Sequence, residues 1–321
     1  MGPKIELHLH LEGAAPPAFV KGLAQEKGMR LDGVLDADGG YATGDFARFL
    51  QVYDAAASVL RSPEDYARLT RAVLEELNRH GVIYAEVFTS PQIAAGNDLG
   101  RWREHVTAMA EAAHAAPVEL RTIPTCVRHR GPEDARAAAL CAAETAGGFV
   151  TGWGMGGDEG VGRPQDFAWA FDCAREAGLG ITVHAGEFGG PRSVRDALDL
   201  RPSRIGHGVR AVEDDALVDR LAEDGVVLEV CPGSNVYLGV YAKIDAHPIE
   251  TLRERGVAVT VSTDDPPFFR TDMTREYDAL TEAFGWDEAV FAEVNRTAAR
   301  AAFCDEATRK TLLERLDAWT T

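Results

Sequence analysis

The chain has 321 residues, and 33 Lys plus Arg against 51 Asp plus Glu leave a formal net charge of −18. That deficit of cations argues against nucleic acid as a partner, because binding a phosphate backbone needs clustered positive charge. With 45% apolar and 26% charged residues the composition is that of a globular protein and not of a disordered chain.

Taken in order, short apolar or β-branched runs alternate with segments of helical spacing, each pair separated by Gly or Pro. Eight candidate strands result: residues 4–10, 82–88, 119–126, 149–155, 181–184, 204–207, 226–231 and 257–263. Helical spacing falls between them, as in 166–176, 213–223 and 248–255, and again at 287–318 as terminal helices. Eight βα units predict a closed (β/α)8 TIM barrel of the α/β class, with 1–321 as a single barrel domain. About seventy residues separate the first two strands, far more than one crossover helix needs. The segments 18–27, 45–57 and 63–79 (capped by Ser62) read as a helical insertion over about 14–80, a candidate lid or wall of the site.

No apolar run reaches the roughly 18–20 residues of a membrane span, so no membrane partner is expected. Met1 leads directly into a charged segment with no apolar stretch resembling a secretory signal. The five cysteines (Cys126, Cys141, Cys173, Cys231, Cys304) are scattered and never spaced C-x-x-C, which points to buried thiols in a reducing, cytoplasmic compartment.

Chemistry concentrates at the predicted strand ends, the face of a barrel that carries active sites. Strand one ends in His8-Leu9-His10, strand five in His184-Ala185-Gly186-Glu187, strand six in Gly206-His207-Gly208, and strand eight in Thr263-Asp264-Asp265-Pro266. Residues two apart on a strand share a face, so His8 and His10 point together into the barrel mouth. Alone, His-x-His is as compatible with a structural pair. With His184 and Asp264 it completes a three-nitrogen, one-oxygen shell suited to zinc or another divalent transition metal. Glu187, beyond its strand, is a candidate proton donor and acceptor; the bland reading is a solvated carboxylate at a helix N-terminus. His207 lies between two glycines that permit close approach, or is a satisfied core histidine. Adjacent Asp264 and Asp265 point different ways, one available to a metal and the other to a substrate. Glu86 and Glu229, inside predicted strands, are partners for metal-bound imidazoles or members of an interior salt bridge. His80, His105, His114 and His129 read as solvated or structural, whereas His247 can approach the pocket.

These motifs carry a resemblance. Lys4-Ile5-Glu6-Leu7-His8-Leu9-His10-Leu11-Glu12-Gly13 resembles the opening motif of the adenosine/adenine deaminase branch of the amidohydrolase superfamily. Gly156-Gly157-Asp158-Glu159, His184-Ala185-Gly186-Glu187, Arg204-Ile205-Gly206-His207-Gly208, Cys231-Pro232-Gly233-Ser234-Asn235 and Ser262-Thr263-Asp264-Asp265-Pro266 match later motifs in order, over nearly the whole chain. The resemblance implies one Zn²⁺ per chain on His8, His10, His184 and Asp264. It also implies Glu187, His207 and Asp265 as catalytic residues, with His10, Glu12, Gly157 and Asp265 against the substrate. Glu187 would protonate the purine ring, a metal-activated water would attack the amine-bearing carbon with His207 orienting or deprotonating it, and the Gly157 N–H would bind another ring nitrogen.

The substrate signals divide. In adenosine-specific members the position of Glu12 is commonly Asp, which holds the ribose hydroxyl; Glu there resembles adenine and aminofutalosine deaminases. Gly157-Asp158-Glu159 and Gly206 before His207 resemble nucleoside members, and Gly154-Met155 departs from the more usual acidic-plus-apolar pair. The balance predicts hydrolytic deamination of adenosine, or a related 6-aminopurine nucleoside, to inosine and ammonia, with adenine deaminase or aminofutalosine deaminase as the alternative. A non-catalytic relative would have lost a ligand or Glu187, and a binuclear hydrolase would show a bridging lysine; neither pattern is present.

Overall fold

The computed structural model describes residues 2–320. Eight strands form: β1 (Lys4–His10), β2 (Val82–Thr89), β3 (Glu119–Val127), β4 (Gly152–Gly156), β5 (Gly180–Ala185), β6 (Arg204–His207), β7 (Val227–Val230) and β8 (Val259–Val261). All neighbouring pairs are parallel, in the order β1 to β8. The ring comes together beyond β8, where the Asp264 N–H donates to His8 O (3.1 Å) and the His10 N–H to Asp264 O (2.9 Å). This is the expected (β/α)8 barrel.

The boundaries differ from the sequence pattern where pairing fails. β4 opens at Gly152 because Val150 meets Thr122 only as an isolated bridge. β8 stops at Val261, since the chain then bends toward Asp264, whose φ of +66° is incompatible with a strand. The segment from 213 divides at Asp214, whose carboxylate accepts from the Leu217 N–H and so starts its helix at Asp215.

Three helices separate β1 from β2: α1 (Pro17–Glu26), α2 (Phe46–Ala57) and α3 (Pro63–Arg79). Ser62 and Asp65 form a capping box, and Tyr66, Leu69, Val73 and Leu77 bury one stripe of α3. An ion pair from Lys27 to Asp65 ties the end of α1 to the start of α3. α2 lies over the barrel mouth, its Phe46 ring 4.6 Å from Phe188 and its Phe49 ring 4.9 Å from Phe269. The C-terminal helices Glu288–Ala301 and Glu306–Thr320 pack Ala298, Leu312 and Leu316 against Ile5 and Leu7 of β1. Among the described residues no helix is long and apolar enough to cross a membrane.

Inside the barrel, Arg204 is fully buried between Glu86 (2.6 Å) and Glu229 (2.5 Å) and stacks on Phe303 at 3.5 Å. Because both guanidinium edges are paired, this platform holds its charges without water; removing one partner would leave a buried charge uncompensated. It forms the floor of the site.

Candidate active site

Four strand ends deliver the titratable groups. His8 and His10 leave β1 on one face, as the two-residue spacing requires. His8 Nδ1–H donates to Glu229 Oε2 at 2.8 Å, which fixes the tautomer and leaves Nε2 bare. That Nε2 is buried without a hydrogen-bond partner, 3.5 Å from Asp264 Oδ1. His10 Nε2 lies 3.3 Å from the same oxygen and 3.2 Å from His184 Nε2. Ser234 Oγ–H donates to Asp264 Oδ2 at 2.7 Å and turns Oδ1 toward the imidazoles. The Phe88 ring packs 4.7 Å from His8 and 5.0 Å from His10, excluding water from one side.

Imidazole nitrogens of His8, His10 and His184 and a carboxylate oxygen of Asp264 thus lie close together, with His8 Nε2 left without a partner. This donor set fits a divalent transition metal. His8, His184, His207 and Asp264 bring ligand atoms within 4.8 Å of one another, as do His10, Asp264 and Asp265. Gly206 is required by this packing: a Cβ there would meet His8 Cε1 at 2.7 Å and His184 Nδ1 at 3.2 Å.

The second group faces the same cavity. Glu187 stands on the turn after β5, buried, with Oε1 unpartnered and Oε2 3.6 Å from His207 Nε2. Burial, reinforced by the charges of Asp264 and Glu159, pushes the Glu187 carboxyl well above the usual range. Burial likewise lowers the His207 imidazole to about 4. Asp265, raised by burial and by Asp264, also has an unpartnered oxygen, Oδ1. A Cβ on Gly13 would sit 1.5 Å from that oxygen, so only glycine fits beneath it. Two of these residues adopt left-handed backbone without being glycine, His207 at φ +60° and Asp264 at φ +66°. Such conformations concentrate at functional sites because they aim side chains a regular strand would direct elsewhere.

The cavity wall comes from α2 and the loops after β2, β3 and β4, with Tyr53, Phe49, Ser90, Ile93, His129 and Gly157 among its lining residues. Glu12 is 3% exposed and reaches this cavity while accepting from Tyr66 Oη–H at 2.9 Å. Burial pushes its carboxyl up to about 7, against hydrogen bonds from Tyr66, the Ser90 N–H and Tyr53.

His10, Glu12, Gly157, His184, Glu187, His207, Asp264 and Asp265 therefore line one cavity, with buried His8 against Asp264. Glu229 does meet His8, whereas Glu86 bonds Arg204, Tyr84 and the Phe303 amide and belongs to the salt bridge. Of the other histidines, His105 bonds Arg101 O and His80 faces Thr274. His129, read as solvated or structural, instead lines the cavity beside Gly157. His247 is buried and meets Asn235 behind His207.

Sequence reasoning passed over Glu159. Its carboxylate accepts from the N–H groups of Gly186, Glu187 (3.1 Å), Phe188 (2.8 Å) and Gly189 (2.7 Å), and from Ser193 Oγ–H. One side chain thus holds the whole turn that carries Glu187. The signal for it was its place in the Gly157-Asp158-Glu159 motif.

Known proteins resemble this chain along its whole length. An adenine deaminase of Agrobacterium fabrum is 51% identical over 319 residues, covering 98% of this chain and 97% of its own. The crystal structure of an adenine deaminase from Arthrobacter aurescens superposes with a TM-score of 0.91 at 30% identity, over 100% of this chain and 99% of that one. An amidohydrolase structure from Burkholderia ambifaria with bound Zn gives a TM-score of 0.85 at 27% identity, covering 99% and 92%. The profile of the adenosine deaminase family matches residues 3–319. With the barrel, the imidazole–carboxylate cluster and the family match in agreement from end to end, the chain belongs to the adenosine deaminase family of metal-dependent hydrolases.

Proposed function

We propose that the protein is an adenine deaminase, converting free adenine and water to hypoxanthine and ammonia. This departs from the nucleoside substrate that the sequence balance favoured. The observation that carries it is Glu12: a buried carboxyl, held by Tyr66 at 2.9 Å, intrudes into the cavity where a shorter acid would leave room for a sugar. Free adenine offers an imidazole-ring N–H for that carboxyl; in a nucleoside the sugar replaces it. The adenine deaminases of Agrobacterium and Arthrobacter support the same reading.

His8, His10, His184 and Asp264 would hold Zn²⁺. The metal supplies Lewis acidity, lowering the pKa of water to about 7. Glu187, whose protonated form is favoured by burial beside Asp264 and Glu159, donates its proton to the ring nitrogen next to the amine-bearing carbon and makes that carbon electrophilic. One proton of the attacking water replaces the one Glu187 gave up, and the other leaves on the ammonia. His207 and Asp265 face the attacking oxygen, and the Gly157 N–H is the candidate donor to a further ring nitrogen.

Glu12→Asp tests the substrate reading. Withdrawing the carboxyl by one methylene should lower kcat/KM for adenine by roughly 1–3 kcal/mol, about 5- to 150-fold. The adenosine-to-adenine ratio should rise. Equal loss on both substrates would make Glu12 a structural carboxyl and remove the basis for the assignment.

A further inference from the structure

Behind His207 stand two buried side chains, Asn235 and His247, whose hydrogen bonds have only one consistent polarity. The bonding begins at a main-chain group: the Ile249 N–H donates to His247 Nδ1 at 3.2 Å. A backbone N–H can only donate, so His247 Nδ1 presents a lone pair. His247 is 3% exposed, and burial lowers its imidazole to about 3, so the ring is neutral and its single proton sits on Nε2. That Nε2–H donates to Asn235 Oδ1 at 3.1 Å, which fixes which end of the amide is oxygen. The other end, Nδ2–H, therefore donates to His207 Nδ1 at 3.2 Å. Asn235 is fully buried, so solvent offers the amide no reason to turn over.

Taking His207 as the residue beside the attacking oxygen, as in the deaminase reading above, we propose that His247 acts through Asn235 as a positioning residue. Together they lock His207 in the tautomer with its proton on Nε2, making it a hydrogen-bond donor to the attacking oxygen and not the base that deprotonates it. His207 Nε2 is the nitrogen that faces the cavity, 3.6 Å from Glu187 Oε2 and 4.0 Å from Asp264 Oδ2. A donor there stabilises negative charge as it develops on oxygen when the O–C bond forms. The proton released as the water O–H bond breaks goes to the Glu187 carboxylate, emptied when the ring nitrogen was protonated.

Asn235→Asp reverses one polarity at constant shape, because a carboxylate accepts from both rings and draws the His207 proton onto Nδ1. Zinc-loaded protein labelled with 15N-histidine reports the tautomer directly. The wild type should show a protonated His207 Nε2 and a bare Nδ1, and Asn235→Asp should exchange them. In turnover, Asn235→Asp should lose about 10³- to 10⁴-fold in kcat, the scale on which a wrong histidine tautomer costs hydrolytic triads, with KM changed only a few-fold. His247→Gln keeps an N–H donor toward Asn235 and should stay within about tenfold of wild type, whereas His247→Leu lets the amide turn over and should lose more than that at unchanged zinc content. Should Asn235→Asp not fold, the Gln and Leu pair decides. A bare Nε2 in the wild type, or equal kcat in His247→Gln and His247→Leu, would overturn the inference. The tautomer is read without substrate, so a preference for some purine other than adenine would fail the substrate reading and leave this result standing.

Discussion

Glu159 offers the sharpest perturbation of the reaction from outside the reacting atoms. Its carboxylate gathers four consecutive backbone N–H groups and the Ser193 hydroxyl, and so shapes the turn on which Glu187 stands. Burial alone would raise its pKa, but these donors outweigh burial and hold it below the usual carboxylate value of 4.5. The sign follows: a depressed folded pKa contributes stability that is present above about 4.5 and is lost as pH falls through the folded value. In Glu159→Gln the amide nitrogen cannot accept, and about half of the acceptor capacity disappears. Hydrogen bonds to a charged group contribute about 1.5–3 kcal/mol each, but Glu159 is partly open to solvent, so a net loss of about 2–3 kcal/mol is expected in urea unfolding at pH 7. Displacing Glu187 by a fraction of an ångström should lower kcat about 10- to 100-fold. Removing a negative charge also weakens one of the forces that keep Glu187 protonated. The proton-donating form is lost as pH rises, so the basic limb of the pH–rate profile should move to lower pH. Amide exchange at residues 186–189 should accelerate in parallel. A variant with wild-type kcat, an unmoved basic limb and slow exchange would refute this account of the turn.

Removing metal with a chelator should abolish turnover, and restoring about one zinc per chain should recover it; full activity in metal-free protein would rule out the site on His8, His10, His184 and Asp264. Glu187→Gln should keep metal content and melting temperature while kcat drops about 10²- to 10⁴-fold. More than about a tenth of the wild-type rate would show that the ring proton comes from another group.

The strand ends were legible because a barrel places chemistry at the C-terminal ends of its strands, and His-x-His on β1 can face only one way. What stayed hidden depends on contacts between distant segments. Glu159 meets residues 186–193, and Asn235 joins His207 to His247; no spacing rule announces either contact. The same cause explains why the substrate signals divide. In sequence, Gly157-Asp158-Glu159 and Gly206 resemble nucleoside members. In the fold, Glu159 supports the turn of Glu187, and Gly206 makes room for the His8 and His184 rings. Both serve ring protonation and metal binding, which a base and a nucleoside need equally, so neither can discriminate between them. Glu12 reaches the cavity itself, held by Tyr66, and the adenine reading rests on it.

The most direct test of the central claim is the rate of ammonia release by the zinc-loaded wild-type protein from adenine and from adenosine, measured side by side as kcat/KM. The closed space around Glu12 predicts adenine ahead by at least about 100-fold, or roughly 2.7 kcal/mol of transition-state stabilisation. Adenosine equal to or faster than adenine would contradict it.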